Sequence, residues 1–96
     1  MTPRFAVRTT PHYERLTRRL LKGHPEFRGL QERAVGILAT DPYNQSGTSN
    51  VKKLVAAAAG EGQWRLSLGR FRFRYDIVGA EVVLHYCGLR QEDTYD

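Results

Sequence analysis

The sequence predicts an α+β domain: an N-terminal strand, an antiparallel helical hairpin, then a three-stranded antiparallel meander, with the helices packed on one face of the sheet. Two patterns carry this expectation. Apolar residues recur at helical spacing between residues 11 and 38, and they alternate with polar ones in RFAVRT near the start and in WRLSLGRFRFRYDI near the end. With 96 residues, 41% hydrophobic and 26% charged, residues 1–96 read as one domain with a single core and no room for a large enclosed cavity. Any chemistry then belongs on an open face.

Residues 4–9 place Phe5 and Val7 on one side and Arg4, Ala6 and Arg8 on the other, the period of a half-buried strand. Thr10 and Pro11 read as an N-cap and first helical position, and Tyr13, Leu16, Leu20 and Leu21 carry an apolar stripe to a stop at Gly23. His24 and Pro25 restart the chain. Phe27, Leu30, Ala34, Ile37 and Leu38 then mark a second helix ending before Asp41 and Pro42. Residues 41–50 gather Pro, Gly, Ser and Asn and read as a loop. The stretch VKKLVAAAAGEG is compatible with two states: its alanines favour helix, whereas Val51, Leu54 and Val55 also suit a short covering strand. Trp64, Leu66 and Leu68 alternate with Arg65 and Ser67, and Gly69 permits a tight turn. Phe71, Phe73, Tyr75 and Ile77 then alternate with Arg70, Arg72, Arg74 and Asp76. After a second turn at Gly79, EVVLHYCG forms the last strand, its apolar run suiting a central or well-covered position.

Twelve of the 15 cationic residues are Arg, and with ten acids the net charge is +5. The planar guanidinium donates paired hydrogen bonds to phosphate oxygens and stays charged, so the balance favours a nucleic acid or an acidic protein as partner. Alternation sends Trp64, Leu66, Leu68, Phe71, Phe73 and Tyr75 under the helices. It turns Arg65, Arg72 and Arg74, with Arg70 close by, onto the uncovered face, and Arg90 follows the last strand. Gathered guanidiniums repel one another; a polyanion that neutralises them accounts for the patch, and so does a wet sheet face covered by Arg. Lys52 and Lys53 suit an RNA backbone or plain solvation. Cys87 has no cysteine to pair with, and with His12, His24 and His85 it shows no metal-ligand spacing, so no disulfide, metal or cofactor is expected and Cys87 reads as a small buried hydrophobe. No segment approaches the ~18–20 apolar residues of a membrane span, and MTPRFAVRTT lacks the apolar run of a signal peptide. A cytoplasmic protein without membrane association is expected.

The stretches VKKLVAAAAGEGQWRLSLGRFRFRYDI and CGLRQEDTY follow a strand and a helical hairpin, and in this order nearly the whole chain resembles the RelE/ParE superfamily of type II toxin–antitoxin toxins. The first is similar to the family's Lys-Leu segment, Gly-containing loop, aromatic and basic strand, and Gly-x-[FY]-R-x-x-Y; the second is similar to its closing Gly-x-Arg and tyrosine. The resemblance implies an α+β fold with a concave uncovered face. For the favoured RelE-like branch it implies a metal-independent mRNA endoribonuclease that acts on the ribosome, leaves 2′,3′-cyclic phosphate and 5′-hydroxyl ends, and inhibits translation. By position, Arg72 resembles the arginine that stabilises the reacting phosphate, and Arg90 the second arginine beside it. Arg65 stands at a basic site often filled by lysine, and Tyr95 resembles the terminal tyrosine that orients or activates the 2′-hydroxyl. Fixed arginines suit this reaction because attack of the 2′-oxygen accumulates charge on the phosphoryl oxygens. Lys52, Lys53, Arg70 and Arg74 would bind RNA or antitoxin. Ser67 stands where active members often carry another lysine, which leaves the acid for the departing oxygen open. His85 belongs to a residue type that titrates near neutrality, and it equally suits a hydrogen-bonded core position. The resemblance further implies a cognate acidic antitoxin and a toxin–antitoxin hetero-oligomer. Two alternatives share the fold: a ParE-like DNA gyrase inhibitor, and a catalytically inactive relative that binds antitoxin.

Overall fold

The structure, a computed structural model, describes residues 4–55, 57–58 and 60–90. Among them lie β1 (Ala6–Thr9), α1 (Pro11–Gly23), α2 (Phe27–Thr40), β2 (Asn50–Lys53), β3 (Trp64–Leu68), β4 (Phe71–Val78) and β5 (Glu81–Leu89). The strands form one mixed sheet in the order β1-β5-β4-β3-β2, in which β1 runs parallel to β5 and the other neighbours are antiparallel. Both helices pack on this sheet, so the fold is α+β.

Local signals set the helix ends. The Thr10 hydroxyl accepts the Tyr13 N–H at 3.1 Å while Pro11 occupies the first turn, where its missing N–H costs nothing. The Thr10 N–H donates to the Leu84 carbonyl at 3.2 Å, which fixes the start of α1 beside β5. At the other end of the helical pair, the Asp41 N–H closes α2 on the Ile37 carbonyl at 2.7 Å. Of the two states open to the segment after residue 50, Val51–Lys53 adopts strand, with Val51 opposite the buried Leu66. Alanine gains only tenths of a kcal/mol per residue over most others in a helix, which ladder pairing and burial readily exceed.

The core lies between the helices and one face of the sheet. Tyr13, Phe27, Ala34 and Leu38 meet Leu66, Leu68, Phe71, Phe73, Tyr75, Val82, Leu84 and Cys87. Phe27 stacks on Phe73 at 5.6 Å between centroids and tilts against Phe71 at 5.1 Å. Trp64, expected under the helices, is half-buried at the rim, where it meets Tyr43 and Tyr75. The Tyr75 hydroxyl donates to the Pro42 carbonyl at 2.6 Å in the interior, and burial raises its pKa well above the ordinary value. Cys87 is buried as expected, and burial pushes its thiol up to about 12, which removes it from nucleophilic chemistry.

The ladder between β4 and β5 shifts register partway along. Arg74 pairs with Tyr86 but Tyr75 pairs with Leu84, so β5 carries one extra residue, His85, in a bulge. Strict alternation along β5 from Val82 would bury Tyr86 and expose Cys87; the bulge reverses that, keeping Cys87 in the core and turning Tyr86 to the open side.

Candidate functional site

The sheet face opposite the helices is assembled by register. Val51, Leu66, Phe73 and Cys87 look into the core, so their neighbours Lys52, Arg65, Arg74 and Tyr86 look away from it. Pairing aligns these in a row across four strands: Lys52 opposite Arg65, Arg65 opposite Arg74, Arg74 opposite Tyr86. A second row runs Asn50, Ser67, Arg72 and Gly88. With strands ~4.8 Å apart, the three cations of the first row start within about 10 Å of one another. Like charges directly opposed across strands destabilise the pairing, and an anion lying across them reverses the sign of that contribution.

Backbone oxygens hold the arginines in place. Arg72 Nη1 donates to the carbonyls of Gly69 at 2.8 Å and Phe71 at 3.0 Å, which draws its head towards the β3–β4 turn. Arg74 Nε donates to the Gly62 carbonyl at 3.1 Å. Gly62 has φ +88°, and a Cβ there would stand 2.7 Å from the Arg74 Cβ and 3.1 Å from backbone, so glycine alone brings this loop against β4. Arg65 is half-buried on β3 and Lys52 is exposed on β2. Arg90 is exposed just past β5, and its N–H donates to the Arg70 carbonyl at 2.7 Å.

Below the cationic row sits a buried carboxylate. Asp76 is 5% exposed; its Oδ2 accepts the Gly60 N–H at 2.7 Å and its Oδ1 accepts the Gln63 N–H at 2.8 Å. His85 Nε2 lies 3.0 Å from Oδ2. Burial by itself would raise the Asp76 pKa, but the N–H groups of Gln63 and Gly60, the His85 charge and the Gly62 N–H together outweigh it and hold the carboxyl below its ordinary value. Next to this pair, Arg74, His85 and Tyr86 line an open groove of about 690 Å³ whose other wall is Thr10, Pro11, His12 and Arg15 of the α1 start, with Gly60 and Glu61 at its edge. The hydroxyl end of Tyr86 lies over Gly88; a Cβ there would come 2.9 Å from the Tyr86 Cζ.

Of the residues expected at the site, Arg65, Arg72, Arg74, Lys52 and His85 share this face. Arg70 does not join it. In the turn between β3 and β4 it reaches back to the helix side, with Nη2 3.0 Å from Glu26 Oε2, 3.2 Å from His24 Nδ1, and its guanidinium over the Phe71 ring. The turn breaks the alternation on which the expectation for Arg70 relied. Lys53 likewise falls on the helix side, its ammonium 5.4 Å from the centroid of Trp64, because adjacent residues of β2 point to opposite faces. Tyr95 lies outside the described residues. Sequence pattern does not single out Asp76, Tyr86, His12 or Arg15: Tyr86 is hidden by the bulge, and the α1 residues reach the groove only through tertiary packing. Asp76 leaves one signal, a lone acid in a strand otherwise alternating with arginine. Among the described residues, no three His, Cys, Asp or Glu side chains gather as a metal site, and no helix is long and apolar enough to cross a membrane. No protein-family model matches the chain, and no curated protein or solved structure matches it either.

Proposed function

We propose that this chain is the toxin of a type II toxin–antitoxin pair, a RelE-like, metal-independent endoribonuclease that cuts mRNA on the ribosome. The observation that supports it most is the row Lys52–Arg65–Arg74 on an uncovered sheet face, with Arg72 in the adjoining row. Guanidiniums held by backbone carbonyls keep their geometry, so they can stabilise a phosphoryl group as it gains charge without reorganising at that moment. In-line attack of a 2′-oxygen on the neighbouring phosphate needs such stabilisation, and no metal ion, to yield a cyclic phosphate and a 5′-hydroxyl. Arg65, Arg72 and Arg74 bind and polarise the phosphates, while Arg90 and Tyr95 complete the site by resemblance. The same basic face suits an acidic antitoxin segment that folds on binding and covers the arginines, in a cytoplasmic hetero-oligomer.

Mapping RNA ends after brief induction tests this. Transcripts cut within reading frames, with 5′-hydroxyl ends and arrested translation, are expected, and Arg72→Ala should lower cutting by at least ~10-fold while remaining folded. Uncut transcripts would sink the reading. One observation favours a second reading: the row of Arg72 carries uncharged Asn50 and Ser67 where a nuclease gains from further cations. A ParE-like gyrase inhibitor fits that feature, and induction would then produce gyrase-linked DNA breaks with transcripts intact.

A further inference from the structure

We propose that His85 is the proton donor to the departing 5′-oxygen, that Asp76 is its positioning residue, and that the scissile phosphodiester lies in the groove between the start of α1 and the β5 bulge. This rests on the nuclease reading and supplies the acid that reading lacks. Three features converge on it. First, alternation from the buried Val82 and Leu84 turns His85 to the open face, and the register shift leaves it without a partner in the ladder while turning Tyr86 out beside it. Second, Asp76 is the only carboxylic acid among the described residues that is buried, and besides binding two loop amides it holds His85 Nε2 at 3.0 Å. With Nε2 occupied by the carboxylate, Nδ1 is the nitrogen left for proton transfer. Third, the groove that His85 lines also holds the cations a phosphate requires, Arg74 from β4 and Arg15 from α1.

The groups facing His85 come from four directions: Asp76 and Arg74 on β4, Tyr86 on its own strand, Glu61 in the loop, and His12 and Arg15 on α1. Of these, Asp76 is in direct contact with the ring. Arg72 stands two residues from Arg74, ~7 Å along the strand, which suits a neighbouring phosphate better than the one His85 serves. In the step itself the 2′-oxygen forms a bond to phosphorus as its proton passes to water. The bond from phosphorus to the 5′-oxygen breaks, and that oxygen takes the proton from Nδ1 of the imidazolium, leaving neutral His85. Arg74 and Arg15 carry the charge on the phosphoryl oxygens.

A pair of substrates tests this: a short mRNA bound to programmed ribosomes, and the same mRNA, likewise bound, with sulfur replacing the bridging 5′-oxygen at the cut site. A thiolate departs without a proton, so the sulfur substrate bypasses a general acid. His85→Ala is expected to slow the oxygen substrate ~100-fold or more in kcat, with KM little changed, and to cut the sulfur substrate at close to the parent's rate. His85→Gln, whose amide can still reach Asp76, should behave as His85→Ala does. Asp76→Asn should lower the oxygen rate selectively. The ratio of the two rates is independent of how much of a variant is folded, so a destabilised variant still reports. Equal slowing of both substrates in the His85 variants would overturn the proposal while leaving the nuclease reading intact. A parent protein that cuts neither substrate would remove both.

Discussion

Asp76 joins the loop of residues 60–63 to the sheet, so the consequences of changing it are calculable from its bonds. Asp76→Ala leaves the N–H groups of Gly60 and Gln63 without their acceptor, and unmade bonds of this kind cost about 1–3 kcal/mol each. A loss of about 2–4 kcal/mol in urea unfolding is expected, because the loop can admit water to part of the gap. The sign of its pH dependence follows from a folded pKa below the ordinary 3.8. The contribution is complete above that ordinary value and is lost as the pH falls through the depressed one, so acid unfolding below about pH 4 should be less steep in Asp76→Ala than in the parent. Tyr75→Phe is the buried neutral counterpart. It strands the Pro42 carbonyl and should cost about 1–2 kcal/mol by the same measurement.

At the scale of elements, α1 and the loop before β3 do the positioning. Thr10→Ala removes the hydroxyl that caps α1 and should cost about 1 kcal/mol, with Thr10→Ser close to neutral. Gly62→Ala puts a side chain at φ +88° and drives a Cβ against β4, so thermal unfolding should show a loss of at least 1–3 kcal/mol. Both variants also disturb walls of the groove. The cap was legible in Thr10-Pro11 because capping is a contact three residues long. The need for glycine at 62 was not, because it arises from Arg74, which is distant along the chain and reaches the loop only after the sheet has formed.

For the molecule as a whole, the cationic face makes nucleic-acid affinity depend on salt. If Lys52, Arg65, Arg72 and Arg74 each displace a counterion from single-stranded RNA, log affinity should fall against log salt with a slope near ~−2.8, from ~0.7 per phosphate neutralised. Arg74→Ala should make that slope shallower by ~0.7, read by titrating a non-cleavable 2′-O-methyl oligonucleotide at several salt concentrations. Arg28→Ala, on the exposed side of α2, should leave it unchanged.

Alternation and helical spacing follow from the backbone geometry of a few successive residues. Local pattern was therefore sufficient for both helices, the strand near the start, the three strands of the last third and the division of Arg65, Arg72 and Arg74 from the aromatic core. Long-range packing was needed to make residues 51–53 a strand, to lay β1 parallel to β5, and to take Arg70 and Lys53 off the open face. Packing likewise brings His85 against Asp76 and sets the bulge that turns Tyr86 over Gly88. Each of these depends on which distant segment a strand meets and in what register, and a shift of one residue in that pairing exchanges the two faces.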